Sequence, residues 1–412
     1  EMCIRDRRYI GEAKVLRAYN YYELYTKFGD IPYTTKVLSI KESMSIARTD
    51  RATVIANMLA DLDEVINGNY LPTSYDADNK GRITRWAAMA IKAKIYLFEG
   101  NWTQVKNITS TIMTEGGFTL FGSYAGLFEI ANEYNSEVIL DAQYRPTSRE
   151  HQMMYAFLPP SLGGYSQLSP LQELVDSYIM LDGKTIKETG TSFDESNPYA
   201  NRDPRLKATV MYTGNSYTLA DGTEVVINCE KGEGKDGYGV GSDCSATGYY
   251  IKKYWDNTYR ATLYSGLNPI LIRYADILLM NAEALAELGE LDKMAWDATI
   301  KPIRDRAGFT LTSAVEFPEG ASKDKLIEIV RNERRSELAL EGHRHKDIIR
   351  WRIADDVLNG WCHGLKTNEV VGTDNGYVRV ENRAFNANRH YLWPIPQAER
   401  DLNGNLEQNP NW

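Results

Sequence analysis

The feature that most constrains this chain is a short helix-turn pattern that occurs twice. Ala93-x-x-Tyr96-x-x-x-Gly100 runs into Asn101-Trp102, and Ala282-x-x-Leu285-x-x-x-Gly289 runs into Glu290-Leu291. A small residue, a large one three positions on and a glycine four after that is the spacing of a tetratricopeptide hairpin. The alanine lets two helices approach closely, and the glycine permits the tight reversal between them. Ala18, Tyr21 and Gly29 form a looser copy. Helix pairs of this kind bury their apolar faces by stacking on one another. The two good copies lie far apart, with a segment of different character between them. The expected fold is therefore mainly α. It is a tetratricopeptide-like helical-repeat scaffold, an α-α superhelix, with a long loop-rich inserted region containing short strands.

Three parts follow. Residues 1–117 form an N-terminal helical part, where apolar positions at three- and four-residue steps predict helices over 11–28, 51–65, 85–99 and 102–113. Asp50 and Thr84 stand where N-caps belong. Residues 118–267 form the insertion, rich in Gly, Pro, Asn, Asp and Tyr. It holds one short helix over 170–178, short strands at Val138-Ile139-Leu140 and Val225-Val226-Ile227, and a glycine-rich loop or hairpin over 215–249. Loops of this length in a folded protein tend to carry function. Residues 268–412 return to helical periodicity, with helices over 271–288, 293–306, 323–341 and 343–359. Glycines end the first three.

Several function classes fall away. The net charge is −9 and no Lys/Arg run offers a phosphate stripe, so nucleic acid is not an expected partner. No apolar run approaches the 18 residues of a membrane-spanning helix. The four cysteines include no CxxC pair, which removes zinc and thioredoxin-like chemistry. Cys229 and Cys244 flank a glycine-rich loop and are candidates for a disulfide, although sequence separation does not fix its geometry. Glu333, Glu337 and Glu341 lie four apart on one helical face, and paired carboxylates can hydrolyse glycosides. Arg331, Arg334, Arg335 and Arg344 surround them, however, as in ion-paired scaffold helices. His343-x-His345 with Asp347 lacks a convincing third metal ligand. Nucleophile elbow, phosphate loop and Cys–His signatures are all missing. No catalytic residue, cofactor or metal is expected.

What remains is an excess of amphipathic aromatics, 27 Tyr and 8 Trp against 10 Phe. Tyr and Trp join an apolar face to a polar edge and suit wet recognition surfaces. Sugar rings present flat C–H faces that stack on such rings, while Asn, Asp, Arg and Lys bond the hydroxyls. The irregular regions hold Tyr70, Tyr75, Tyr155, Tyr165, Tyr199, Tyr249, Tyr254, Trp255, Tyr259 and Tyr264, among others. The candidates for stacking are Tyr165, Tyr254, Trp255, Tyr259 and Tyr75. Asp256, Asn257 and Arg260 are the candidates for bonding hydroxyls. Gly163-Gly164-Tyr165 sets one aromatic on a glycine turn.

The ordered motifs resemble the SusD/RagB family. They run from Glu12-Ala13-Lys14-Val15-Leu16-Arg17-Ala18-Tyr19 and Phe28-Gly29-Asp30-Ile31-Pro32, through Asn201-Arg202-Asp203-Pro204-Arg205-Leu206 and Ile272-Arg273-Tyr274-Ala275-Asp276, to Glu333-Arg334-Arg335-x-Glu337-Leu338-Ala339-x-Glu341-Gly342. Leu392-Trp393-Pro394-Ile395-Pro396 and Gln408-Asn409-Pro410-Asn411-Trp412 close the series. The resemblance implies a non-catalytic protein on the outer face of a Gram-negative outer membrane. Such a protein binds oligosaccharide or polysaccharide and passes it to a TonB-dependent transporter of the SusC type. It also implies a signal peptide and a lipidated cysteine ahead of the first helix. This chain opens on Glu1-Met2-Cys3-Ile4, without a lipid-attachment context at Cys3, so the expectation is an N-terminal part that lacks its anchor. The alternatives are a peptide-binding member of the same family, a helical glycosidase using Glu333 or Glu337, and a soluble tetratricopeptide adaptor.

Overall fold

Helix starts lie where side-chain oxygens can satisfy otherwise unpaired backbone N–H groups. In the computed structural model, which describes residues 4–259 and 262–412, Asp50 caps the helix Arg51–Asn67 by accepting from the N–H of Ala52 and Thr53. Thr84 caps Arg85–Phe98 through the N–H of Ala87. These helices belong to the first of two units, made of residues up to 116 with 345–359 and 384–412. Four helices, Ile4–Phe28, Arg51–Asn67, Arg85–Phe98 and Trp102–Glu115, pack each on the next. Ala87, Ala88, Ala90 and Ala93 are fully buried in the third, and their small side chains permit close packing on both sides. Gly100 reverses the chain at φ +70°, a conformation costly for any residue with a Cβ. The C-terminal tail locks the end of the first helix. Trp393 N–H donates to the Lys27 carbonyl at 2.7 Å, and the Asn409 side-chain amide donates to the Phe28 carbonyl at 2.9 Å.

The second unit contains 117–344 and 360–383. Helices Tyr274–Leu288, Lys293–Ala307 and Lys323–Glu337 pack together here, with Gly289 turning the first into the second at φ +73°. Trp296 is fully buried, and its indole N–H donates to the Val315 carbonyl at 2.9 Å. Short antiparallel pairs order the irregular segments, and the first of them leads directly into the helix Tyr274–Leu288. Val138–Asp141 pairs with Ile270–Arg273, Val210–Met211 with Tyr250–Ile251, and Ser216–Thr218 with Glu224–Val226. A three-stranded antiparallel sheet places Tyr377–Arg383 between Gly360–Lys366 and Thr373–Asp374. The fold is the mainly helical scaffold expected. Segment 118–267 shares one unit with the helices that follow it.

Two helices are shorter than their periodicity predicts. The helix expected over 323–341 ends at Glu337, and Leu340 takes φ +64°. The departure from helical geometry accompanies a buried Glu341 carboxylate, bonded to Arg273 and Lys253. The helix expected over 343–359 divides into Arg344–Arg350 and Ala354–Val357, with Arg352 at φ +57° between them. The strands of the 360–383 sheet carry no strong alternation and escape sequence reading.

Candidate functional site

The site begins with a turn that only glycine can make. After the short helix Met153–Phe157, a Cβ on Gly164 would lie 2.1 Å from the Leu158 carbonyl oxygen. Glycine therefore lets the chain fold back on itself, and backbone bonds close the loop, among them Ser166 N–H to the Leu158 carbonyl at 3.3 Å. Tyr165 N–H donates to the Tyr155 carbonyl at 2.9 Å, and Leu168 N–H to Ala156 at 3.2 Å. The fold-back sets the Tyr155 and Tyr165 rings 4.5 Å apart at 35°. The Tyr155 hydroxyl donates to the Tyr165 oxygen at 3.0 Å, which pushes the Tyr155 pKa up.

Tyr264 is set beside this fold-back by a separate device. His151 and Ser265 exchange backbone bonds of 2.9 Å in each direction. Next to them, a Cβ on Gly266 would sit 2.4 Å from the Pro146 nitrogen. A Cβ on Gly163 would lie 3.5 Å from the Leu263 side chain, so Tyr264 follows a residue that packs beside the fold-back. Tyr165 is 40% exposed and Tyr264 43%. The result is a paired Tyr155–Tyr165 platform edged by phenolic hydroxyls, with Tyr264 exposed as a separate ring. The platform can stack on a flat ligand and bond its polar edge.

The other sequence candidates occupy different surroundings. Tyr254 is 7% exposed and packs against Phe128 at 5.0 Å, with its hydroxyl donating to the Leu340 carbonyl. It is a core residue and offers no ring face to a ligand, which corrects the stacking expectation. Asp256 is 5% exposed and its carboxylate accepts from the N–H of Ile130 and of Thr258, each at 2.8 Å. That carboxylate holds two loops together and leaves no free edge for a hydroxyl. Trp255 is half-buried, 4.8 Å from the Tyr217 ring, and its indole N–H donates to the Thr218 carbonyl at 3.3 Å. Asn257 donates to the same carbonyl. Both side chains fasten the 216–226 hairpin. Tyr75, in the first unit, is half-buried and its hydroxyl donates to the Ile83 carbonyl at 3.2 Å. Arg260 and the side chain of Tyr259 lie outside the described residues.

The glutamate row is an interior ionic network. Glu337 meets Arg273 at 2.6 Å and Arg205 at 2.8 Å, and also pairs with Arg306. Glu333 meets Arg205 at 2.7 Å and Arg304 at 2.8 Å. Glu341 lies 2.7 Å from both Arg273 and Lys253. Burial disfavours ionisation of all three, yet the surrounding cations outweigh it. They hold Glu341 at about 2 and push Glu333 and Glu337 below the usual carboxylate range. A glycosidase acid needs the opposite shift and access to substrate. These glutamates have neither, so they are scaffold. The candidate disulfide is also corrected, since Cys229 and Cys244 are free thiols. Cys229 is buried, and the Cys244 thiol donates to the Lys235 carbonyl at 3.2 Å. No helix among the described residues is long and apolar enough to cross a membrane. No cluster of His, Cys, Asp and Glu among those residues could hold a metal ion.

Comparison with known proteins converges. A family model described as the SusD family matches residues 127–412. A second, described as starch-binding associating with outer membrane, matches residues 5–97. A SusD-like protein of Formosa agariphila is 28% identical over 373 residues, covering 85% of this chain, which spans only 64% of that protein's length. The crystal structure of a SusD-like carbohydrate binding protein from Bacteroides fragilis superposes with a TM-score of 0.87 at 30% identity, over 99% of this chain and 81% of that one. A laminarin binding SusD-like protein shares the fold at a TM-score of 0.67 and 23% identity, over 100% of this chain and 80% of that one.

Proposed function

The chain belongs to the SusD family, and from that membership and the aromatic platform we propose that it captures saccharides at the cell surface without transforming them. The observation that carries this reading is the exposed Tyr165 ring, packed on Tyr155 by a glycine-enforced fold-back, with a second exposed ring at Tyr264. Aromatic rings held still before the ligand arrives lose little freedom on binding. Two half-exposed rings alone give modest affinity, which suits a protein that must release its cargo. The bound oligosaccharide or polysaccharide segment passes to a TonB-dependent transporter of the SusC type in the outer membrane. The protein acts on the extracellular face, held there by an N-terminal lipid anchor ahead of the first helix. The ionic network around Glu337 supports a binding role over hydrolysis, because it commits every carboxylate of that helix face to arginine or lysine.

Affinity electrophoresis through gels containing starch, laminarin, mannan, xylan and pectin, beside a peptide array, tests the ligand class. Retardation by one or more polysaccharides, with no oligosaccharide released on incubation, is the expected result. Binding confined to peptides would replace this reading with peptide uptake.

A further inference from the structure

The second unit holds a cup that shares no lining residue with the aromatic platform. It measures about 700 Å³, inside the range of roughly 300–1,000 Å³ typical of small-ligand pockets. Six stretches distant in sequence build it: Gln172, the loop 195–199, Thr213, the loop 229–233, Gly248-Tyr249 and the hairpin residues 365–369 with Tyr377. We propose that this cup is a second binding site, taking a short neutral saccharide.

The floor of the cup is tyrosine. Tyr249 is 2% exposed, and its hydroxyl donates to Gln172 and lies 3.2 Å from the Tyr199 hydroxyl. Tyr199 in turn stacks on Tyr212 at 3.9 Å and 15°. Tyr212 does not line the cup, so it backs Tyr199 and fixes the plane of that ring. Tyr377 adds an aromatic from the hairpin. Two ion pairs tie the hairpin to the loops, Lys366 with Glu195 at 2.8 Å and Lys231 with Glu369. These exposed ion pairs contribute little by themselves, and the stacked tyrosines and the strand pairing of the hairpin hold the walls without a ligand.

Charge then selects the ligand. Among the described residues, four glutamates and two lysines line the cup, and both lysines are already paired. A uronic or sulfated glycan would bring its anions against this excess of carboxylate. A neutral sugar meets Tyr199 and Tyr377 together with amide, hydroxyl and carboxylate partners for its own hydroxyls. The inference rests on the carbohydrate reading above and adds a place and a charge preference to it.

Hydroxyl-radical footprinting of the intact chain separates the two sites, because each has its own tyrosines. The probes are maltohexaose, laminarihexaose, mannohexaose and xylohexaose, with hexagalacturonate as the anionic counterpart. At least one neutral oligosaccharide should protect Tyr199 and Tyr377 from oxidation, while hexagalacturonate leaves them reactive. Tyr377→Ala should weaken binding at the cup about five- to thirtyfold, the effect of truncating one aromatic contact. Ser196→Trp, which fills the cup from its rim and removes no packing, should abolish the protection. Protection confined to Tyr165 and Tyr264 overturns the second site and leaves the carbohydrate reading standing. Equal protection by hexagalacturonate overturns the charge preference. No protection of Tyr199 and Tyr377 by any neutral probe overturns this inference, and protection nowhere by any probe, hexagalacturonate included, overturns the carbohydrate reading with it.

Discussion

Glu337→Gln removes one charge from the centre of the buried network while keeping the shape of the side chain. Three guanidiniums face Glu337, and each retains another carboxylate when its charge is lost. Arg205 keeps Asp203 and Glu333, Arg273 keeps Glu137 and Glu341, and Arg306 keeps Glu137. Removing one partner of a buried pair costs about 3–5 kcal/mol, and the retained partners place this variant near the lower end, roughly 3 kcal/mol. At about 2–4 °C per kcal/mol for a unit of this size, the melting temperature should fall by roughly 6–12 °C. The network also sets the acid limit. Glu341 is held at about 2 against an ordinary 4.5. A depressed carboxyl pKa stabilises the folded state above the unfolded value, and that stability drains as pH falls from 4.5 toward 2. Urea unfolding followed by circular dichroism, repeated across that acid range, measures both effects. The variant should be less stable at neutral pH, lose less on acidification, and still bind glycan. A change under about 0.5 kcal/mol, the size of an ordinary surface substitution, would refute the reasoning.

Three further outcomes are expected. The His363 ring bonds Glu173 through Nδ1 at 2.8 Å and Asp374 through Nε2 at 3.1 Å. Burial opposes its charge, but these two carboxylates outweigh it and raise its pKa above 6.5. The clasp is therefore at full strength below 6.5 and lost as pH rises through the raised value. Amide exchange in the 360–383 hairpin should accelerate over that window beyond the intrinsic rate, and His363→Gln should remove the extra acceleration. Gly164→Ala puts a methyl group against the Leu158 carbonyl, so it should lower glycan affinity at least as much as Tyr165→Ala while leaving the helical circular dichroism unchanged. Thiol titration should find Cys229 unreactive until the protein unfolds, because burial raises its pKa far above the ordinary thiol value, and electrophoretic mobility should be the same with and without reductant.

The local signals of the scaffold are readable in the chain because they are local. Asp50, Thr84, Gly100 and Gly289 act on backbone groups within a few residues, so spacing alone locates them. The end of the helix at Glu337 is not local. It accompanies the buried contacts of Glu341 with Arg273 and Lys253, residues remote in sequence. The same division explains the site. Tyr165 and Tyr254 look alike as tyrosines in irregular segments. Tyr254 is buried by Phe128 and Phe157, which no pattern around it announces. Tyr165 follows two glycines, and that pair was the usable signal for an exposed turn. Tyr264 had a weaker one in Ser265-Gly266. Its place beside the fold-back depends on the bridge from His151, which only the fold supplies.

The most direct test of saccharide capture at the Tyr155–Tyr165 platform is calorimetric titration of the wild type, Tyr165→Ala and Trp255→Ala against the polysaccharide that retards the protein most. The wild type should bind. Tyr165→Ala should lose about 1–2 kcal/mol, roughly five- to thirtyfold in affinity, with its melting temperature unchanged. Trp255→Ala should lower stability more than affinity, since its ring packs against the 216–226 hairpin. Equal affinity for wild type and Tyr165→Ala would remove the platform from the account. The absence of binding to every glycan would contradict saccharide capture itself.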